Sequence, residues 1–133
     1  MAGKAALEGM EEYASVQGQE TFPRRERLTR PGEYRAVFEH GRKSVGPEFV
    51  CYFAKREGPG RKFGMAVSRK VGNAVTRNRV KRYLREIYRR HRADLWEDVS
   101  IVVVARPAAS SLSFVSCQES VQRLFRKGGA LRG

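Results

Sequence analysis

Ser68-Arg-Lys-Val-Gly-Asn-Ala-Val-Thr-Arg-Asn-Arg-Val-Lys-Arg-Tyr-Leu-Arg-Glu-Ile-Tyr-Arg-Arg-His-Arg92 is the stretch that decides the reading of this chain. It begins as the end of a strand, passes through Gly72-Asn73 and becomes a helix from Thr76 to about Arg92. Val80, Tyr83, Leu84, Ile87 and His91 recur at i, i+3, i+4, i+7 and i+11, which is one face of a helical period. Away from that face lie Lys81, Arg92, Arg85, Asn78, Arg89, Arg82, Arg79 and Arg90. From Arg69 to Arg92 there are ten basic side chains and one acid, Glu86. A solvated helix face ordinarily mixes signs, because like charges repel. Ten cations against one anion require a polyanion. Gly72 and Asn73 tolerate positive φ. Asn73 or Thr76 is placed to cap the helix, and a positive dipole end beside Arg77 and Arg79 makes a phosphate site. The spacing is not that of a Walker loop.

Outward from this stretch the chain keeps its basic character. Its 133 residues suit one domain, with 27 Lys and Arg against 14 Asp and Glu and a net charge of +13. Twenty of the cations are Arg, whose fork binds phosphate oxygens in pairs. At 41% hydrophobic the chain can build a core, so a wholly disordered basic tail is excluded. Pro31 to His40 reads as a short helix, with Thr29 as its N-cap, Tyr34, Val37 and Phe38 on one face and Gly41 as its stop. Glu48 to Ala54 reads as a strand that sends Phe49, Cys51 and Phe53 one way and Val50, Tyr52 and Ala54 the other. Gly58-Pro59-Gly60 reads as a turn into a second strand, Phe63 to Ser68, so the two should pair as a hairpin. On that strand Gly64, Ala66 and Ser68 leave one face small enough for close approach by a helix or ligand. Val99 to Ala105 is a mostly apolar run that suits a central strand, ended by Pro107. Ser113 caps a last helix to about Arg126, anchored by Val121, Leu124 and Phe125 and closed by Gly128-Gly129. A small mixed sheet with packed helices follows, an α+β fold.

Residues 1–20 differ from the rest, with one Lys, four Glu and a net charge of −3, and read as a disordered extension. The remaining 113 residues carry +16. A single RNA-binding domain is expected over 21–127, and a short tail over 128–133. No apolar run is long enough to span a bilayer, and no secretory signal is visible, so the expected location is cytoplasmic. Cys51 and Cys117 have no Cys-x-x-Cys spacing and no nearby His, which argues against a disulfide framework and a zinc site. The acids outside the extension are mostly scattered singly, and His40 and His91 have no obvious partner. Phosphodiester hydrolysis needs clustered carboxylates around metal ions, or paired acids and bases. No catalytic or metal-ligating residue is therefore expected on this chain.

Arg77-Asn78-Arg79-Val80-Lys81-Arg82, preceded by Ser68-Arg69-Lys70-Val71-Gly72-Asn73-Ala74-Val75, resembles the basic box of the bacterial ribonuclease P protein component. Phe22-Pro23, Arg27-Leu28, Glu33-Tyr34, Val37-Phe38 and Gly41 resemble that family's N-terminal block. The likeness runs in order over about residues 22 to 126. It implies an α/β sandwich of three helices and a small mixed sheet, in the order αβββαβα. It also implies a left-handed βαβ crossover, where spacing alone would suggest the right-handed form. The implied partners are a catalytic RNA and precursor tRNA, whose 5′ leader the assembly removes. Neither a membrane nor a small-molecule cofactor is expected, and the Mg²⁺ would belong to the RNA. The residues expected to meet the catalytic RNA are Arg69, Lys70, Asn73, Arg77, Asn78, Arg79, Lys81, Arg82, Arg85 and Arg89. The leader would lie against Tyr34, Phe38, Val50 and Tyr52.

Aromatic side chains stack on unpaired bases of any sequence, which suits that role, but the same spacing is equally that of a core. Two other readings compete. A ribosomal or RNA-assembly protein would share the charge without a nuclease role. A DNA-binding regulator using residues 76–92 as a recognition helix would need a neighbouring helix across a short turn. Strand signals flank this helix instead.

Overall fold

The structure, a computed structural model, describes residues 24–56 and 60–131. The expected disordered extension and most of the Gly58-Pro59-Gly60 turn lie outside the described residues. Three helices, α1 (Pro31–His40), α2 (Ala74–His91) and α3 (Phe114–Lys127), enclose a sheet of four strands. The strands are β1 (Arg42–Val45), β2 (Phe49–Lys55), β3 (Lys62–Ala66) and β4 (Val99–Ala105). Their spatial order is β1-β2-β4-β3, antiparallel except for the parallel pair β3 and β4. This is the expected αβββαβα order.

The expected hairpin between β2 and β3 does not form. Both strands pair with β4 instead, Phe53 opposite Ile101 on one side and Phe63 opposite Ile101 on the other. The reason lies in β4, six of whose seven residues are buried, with Val104 partly so. A strand apolar on both faces is best covered in the centre of a sheet, and a β2–β3 hairpin would leave it at an edge. Since β3 and β4 are parallel, the chain must cross between them, and α2 is that crossover.

Alternation along the strands divides the core in two. Phe49, Cys51, Phe53, Phe63, Met65, Ile101 and Val103 face α2 and α3. Tyr52 and Val102 face α1, where Tyr34, Val37 and Leu28 meet them. The α1 layer is held close by glycine. A Cβ on Gly64 would sit 2.6 Å from the Tyr34 hydroxyl oxygen, and one on Gly41 would sit 2.4 Å from the Val37 carbonyl oxygen. Gly41 thus ends α1 by close packing against β2, at an ordinary φ of −83°. The N-cap of α1 is Arg30, not Thr29, and no side chain caps it; Pro31 at the first turn has no amide hydrogen to satisfy.

Helix α2 is turned about its axis relative to the periodicity. Its buried residues are Val80, Lys81, Leu84, Arg85, Ile87 and Tyr88, while Tyr83 and His91 are only partly buried. The Tyr88 ring stacks on Phe63 at 4.5 Å. Its hydroxyl donates to Glu26 Oε1 at 2.6 Å, and Arg92 reaches the same carboxylate at 2.8 Å. Glu26 is 4% exposed. The segment before α1 is thereby fastened to both β3, through Leu28 N–H to the Phe63 carbonyl, and α2.

Helix α3 begins at Ser113, whose side chain accepts from Ser116 N–H. The stretch expected to be a tail from residue 128 continues the folded body as far as Leu131. Ala130 is buried, Leu131 bridges to Leu95, and Gly128 presses on the Phe53 ring, where a Cβ would lie 2.3 Å from the nearest ring carbon. Apolar cover for the lower end of β2 explains why these residues stay packed.

Replacing Gly64 with Ala should lift α1 and lower stability by about 1–3 kcal/mol. Gly32→Ala, where a Cβ meets nothing within 4 Å, should instead raise it by about 0.5 kcal/mol. Urea unfolding of the two variants checks both signs.

Candidate nucleic-acid interface

The approach to α2 is a compact turn. Val71 and Gly72 donate to the carbonyls of Ser68 and Arg69, and Lys70 N–H donates to Ser68 Oγ. Gly72 has φ of +158° and Asn73 a φ of −73°, so the expected positive φ falls on the glycine alone. Asn73 is the N-cap, its Oδ1 accepting from Thr76 N–H at 2.9 Å. Arg69, Lys70 and Asn73 are held exposed at the helix start, next to the positive end of the helix dipole.

Along α2 the structure sorts the expected RNA-facing residues into three groups. Asn78, Arg82 and Arg89 are exposed, and Arg77 and Arg79 are partly buried. Arg79 donates to the Ser110 carbonyl, so it also ties α2 to the turn before α3. Lys81 and Arg85 were expected on the open face but are 2% and 9% exposed. At about 100° per residue they lie about 20° and 60° to one side of Tyr88, and burying Tyr88 on Phe63 carries them inward.

Glu86 is the one acid of this helix, and it is engaged. Arg89 Nε donates to it at 2.9 Å and Arg90 Nε at 3.0 Å. Hydrogen bonds from Arg89 lead the causes that hold its carboxyl down at about 2. Arg90 also lies over the Phe114 ring at 4.8 Å, and Arg82 over the Tyr83 ring at 5.8 Å.

The four leader candidates come together between α1 and the sheet. Phe38 sits edge-on to Tyr52 at 4.9 Å and 6.4 Å from Tyr34. Val50 follows on the same face of β2. They are not equally accessible. Tyr34 is fully buried and Tyr52 is 5% exposed, while Phe38 and Val50 keep part of their surface open. Burial also raises the Tyr52 phenol above its ordinary pKa. Tyr34 is therefore a packing residue, and Phe38 and Val50 form the open lip of the patch.

Comparison with known proteins meets this geometry. The family model described as Ribonuclease P matches residues 22–129, which takes in both the aromatic patch and the basic helix. The chain belongs to the ribonuclease P protein family. The ribonuclease P protein component of Desulfovibrio desulfuricans is 48% identical over 110 residues, 80% of this chain and 85% of that protein. That of Dictyoglomus thermophilum is 36% identical over 115 residues, covering 84% of this chain and 95% of the relative. Among solved structures, the Staphylococcus aureus RNase P protein superposes with a TM-score of 0.76 at 26% identity, over 80% of this chain and 98% of that one. The Thermotoga maritima RNase P protein gives 0.69 at 30% identity, over 77% and 96%. As a ribonuclease P protein the chain is a subunit of an endoribonuclease that processes tRNA. The regulator reading fails on topology too, because α2 follows a strand and not a neighbouring helix.

Several carboxylates of this family member have structural partners. Glu26 holds Tyr88 and Arg92, Glu48 accepts from Ser120 Oγ at 2.7 Å, and Glu33 lies 4.0 Å from Lys62. Among the described residues no three His, Cys, Asp or Glu side chains gather where they could hold a metal ion. Both cysteines are free and buried, and burial pushes the Cys117 thiol up to about 11. No helix among the described residues is long and apolar enough to cross a membrane. Sequence reasoning passed over Glu26 and Tyr88. Tyr88 stands four residues after Leu84, a spacing that marks it for the buried face.

Glu86 gives the helix a pH signature. Its folded pKa is depressed, so its contribution is complete above the ordinary value of 4.5 and is lost as pH falls toward about 2. A Glu86→Gln variant should show a shallower loss of thermal stability over that window than the parent, measured by circular dichroism.

Proposed function

We propose that the open basic surface at the start of α2 binds the catalytic RNA of ribonuclease P, and that the lip of the α1 patch receives the unpaired 5′ leader of precursor tRNA. The observation that carries this reading is the separation of two chemistries on one rigid body. Lys70 and Arg82 are exposed and have no ion pair among the described residues, as an RNA backbone requires. On the opposite side of the sheet Phe38 and Val50 offer apolar surface braced from beneath by Tyr52 and Tyr34. Unpaired bases stack there without sequence preference, as a leader of variable sequence demands.

Within this division Arg69, Lys70, Asn78, Arg82 and Arg89 meet RNA phosphates, and Arg77 and Arg79 add charge from the flank. Asn73 sets the helix start, while Lys81 and Arg85 contribute as buried positive charge. The hydrolytic centre and its Mg²⁺ belong to the RNA. The pairing of Glu26, Glu48 and Glu86 supports this, since those carboxylates already hold the fold.

The deciding assay is cleavage of precursor tRNA by the cognate catalytic RNA at low Mg²⁺, with and without this chain. Cleavage should rise sharply when the chain is present, and no change would reject the proposal. Arg82→Ala should weaken assembly with the catalytic RNA and flatten its log–log salt dependence by about one phosphate contact. Phe38→Ala should weaken holoenzyme binding to precursor tRNA by about 5- to 100-fold while leaving mature tRNA binding and assembly near the parent values. Equal damage to both tRNAs, together with a large drop in melting temperature, would make Phe38 a core residue only.

A further inference from the structure

The sole tryptophan of the chain takes no part in the surfaces assigned so far, and it is open to solvent. Trp96 is 49% exposed, although a side chain of its size is ordinarily well covered. It is nonetheless held in place. Its indole Nε1–H donates to the Gly129 carbonyl at 3.0 Å, and its backbone N–H donates to the Ala130 carbonyl at 3.1 Å. Gly129 has a φ of +74°, so the turn that presents this carbonyl needs glycine. A ring fixed by its polar edge and half exposed is pre-organised for stacking.

Trp96 borders a groove of about 410 Å³ where β2 ends and β4 begins, against the segment after α3. Phe53, Val99 and Ala130 line this groove but are buried, so its open apolar surface is the indole and half-buried Ala54. Its charged lining is Arg42 and Lys55, both exposed, and the half-buried Asp98. None of the three has an ion pair among the described residues. Arg42 Nη1 lies 3.7 Å from where a Cβ on Gly129 would stand, so guanidinium and indole share the same short stretch of backbone.

Three kinds of group thus meet in one groove: a flat ring, two cations and one carboxylate. A simple anion or an acidic peptide is drawn by Arg42 and Lys55 but repelled by Asp98, and it leaves the ring bare. A nucleotide matches all three, with a base to stack, phosphates for the cations, and hydroxyl or amine donors for the carboxylate. We infer that this groove seats one unpaired nucleotide of the catalytic RNA, its base on Trp96 and its phosphates on Arg42 and Lys55. Its place in the fold selects that RNA over the leader. Phe53 and Val99 belong to the core face covered by α2 and α3, whereas the Phe38 lip is on the α1 face. Trp96 follows the end of α2 across the turn Arg92–Asp94, so RNA lying along this helix, about 27 Å long, meets the indole beyond its far end. The inference rests on the assembly with catalytic RNA proposed above but on none of the residues assigned to it.

Because Trp96 is the only tryptophan, the fluorescence of the full chain reports this groove directly. The chain is titrated with its cognate catalytic RNA, and assembly is followed separately by gel mobility. Emission should fall as assembly proceeds, since a stacked base quenches indole, and acrylamide should quench the remainder less than in the free protein. Precursor tRNA added afterwards should change nothing further. This readout uses the unaltered chain and does not depend on how any variant folds. Arg42→Gln/Lys55→Gln, which alters only exposed side chains, should reduce the quench and lower the log–log salt slope of assembly by about 1.4, about 0.7 for each phosphate contact. Trp96→Ala should weaken assembly by about 5- to 100-fold, and Trp96→Phe, which keeps a ring, should recover most of that loss. Assembly with unchanged emission would overturn the inference and leave the proposed function standing, whereas absence of assembly would remove both. Quenching that appears only on addition of precursor tRNA would also overturn it, because the occupant would then be the leader. So would an equal fall in slope per charge from Arg123→Gln, exposed on α3, since that is the general field of a basic protein.

Discussion

Val99–Ala105 has to be kept from water on both faces, and the placement of the three helices follows from that requirement. Its odd-numbered side chains need α2 and α3, and Val102 needs α1. Central position and two-sided cover are the usual environment of so apolar a strand. Among the described residues all three α-helices are used to supply that cover. The crossover from β3 to β4 then sets α2 down with its first turn at the upper edge of the sheet. The basic box is thus carried to one end of a rigid layer, and the aromatic patch is left on the layer beneath.

Electrostatics and packing are arranged so that they do not compete. The apolar side of α2 is fixed by aromatic stacking of Tyr88 on Phe63 and by a buried carboxylate shared between Tyr88 and Arg92. Glu86 screens the far end of the helix, where Arg89 and Arg90 sit, and no acid lies in its first turn. Positive charge therefore concentrates at the helix start, where the free amides and the dipole have the same sign. The ion pair of half-exposed Arg92 with buried Glu26 adds little net stability, but removing Arg92 leaves the Glu26 charge stranded, which fixes the geometry of the segment before α1.

Much of this was legible in the residues. Helices α2 and α3 announce themselves by period and by Asn73 and Ser113 at their starts, and β2 and β4 by alternation and by apolar run. Those signals are local, and local structure follows them. The pairing of β2 and β3 with β4, in place of the expected hairpin between them, was not legible, because strand partners are chosen by burial across the whole sheet. Strand β1 gave no signal at all: Arg42-Lys-Ser-Val45 has one buried residue, Ser44, and pairs only because β2 offers it an edge. Lys81 and Arg85 were misplaced for a different reason. A helical wheel gives the spacing of side chains but not the rotation of the helix on its sheet, and that rotation is set by Phe63, a residue on another element. The aromatic patch was correctly gathered by position, yet burial separates Tyr34 from Phe38 in a way that spacing cannot.

The short outer strand has a consequence for how the protein behaves in a crowded cell. The rim of β1 is the edge to which another copy of the chain would add a strand. It is four residues long and begins with Arg42 and Lys43, both exposed. A second molecule approaching in register would bring like charges together before any backbone pairing formed. The opposite rim, β3, is partly closed by the bridge from Arg27 to Phe63. Newly made protein that has not yet met its nucleic acid is thereby kept from sheet-to-sheet aggregation by the same excess of cations that later draws it to RNA.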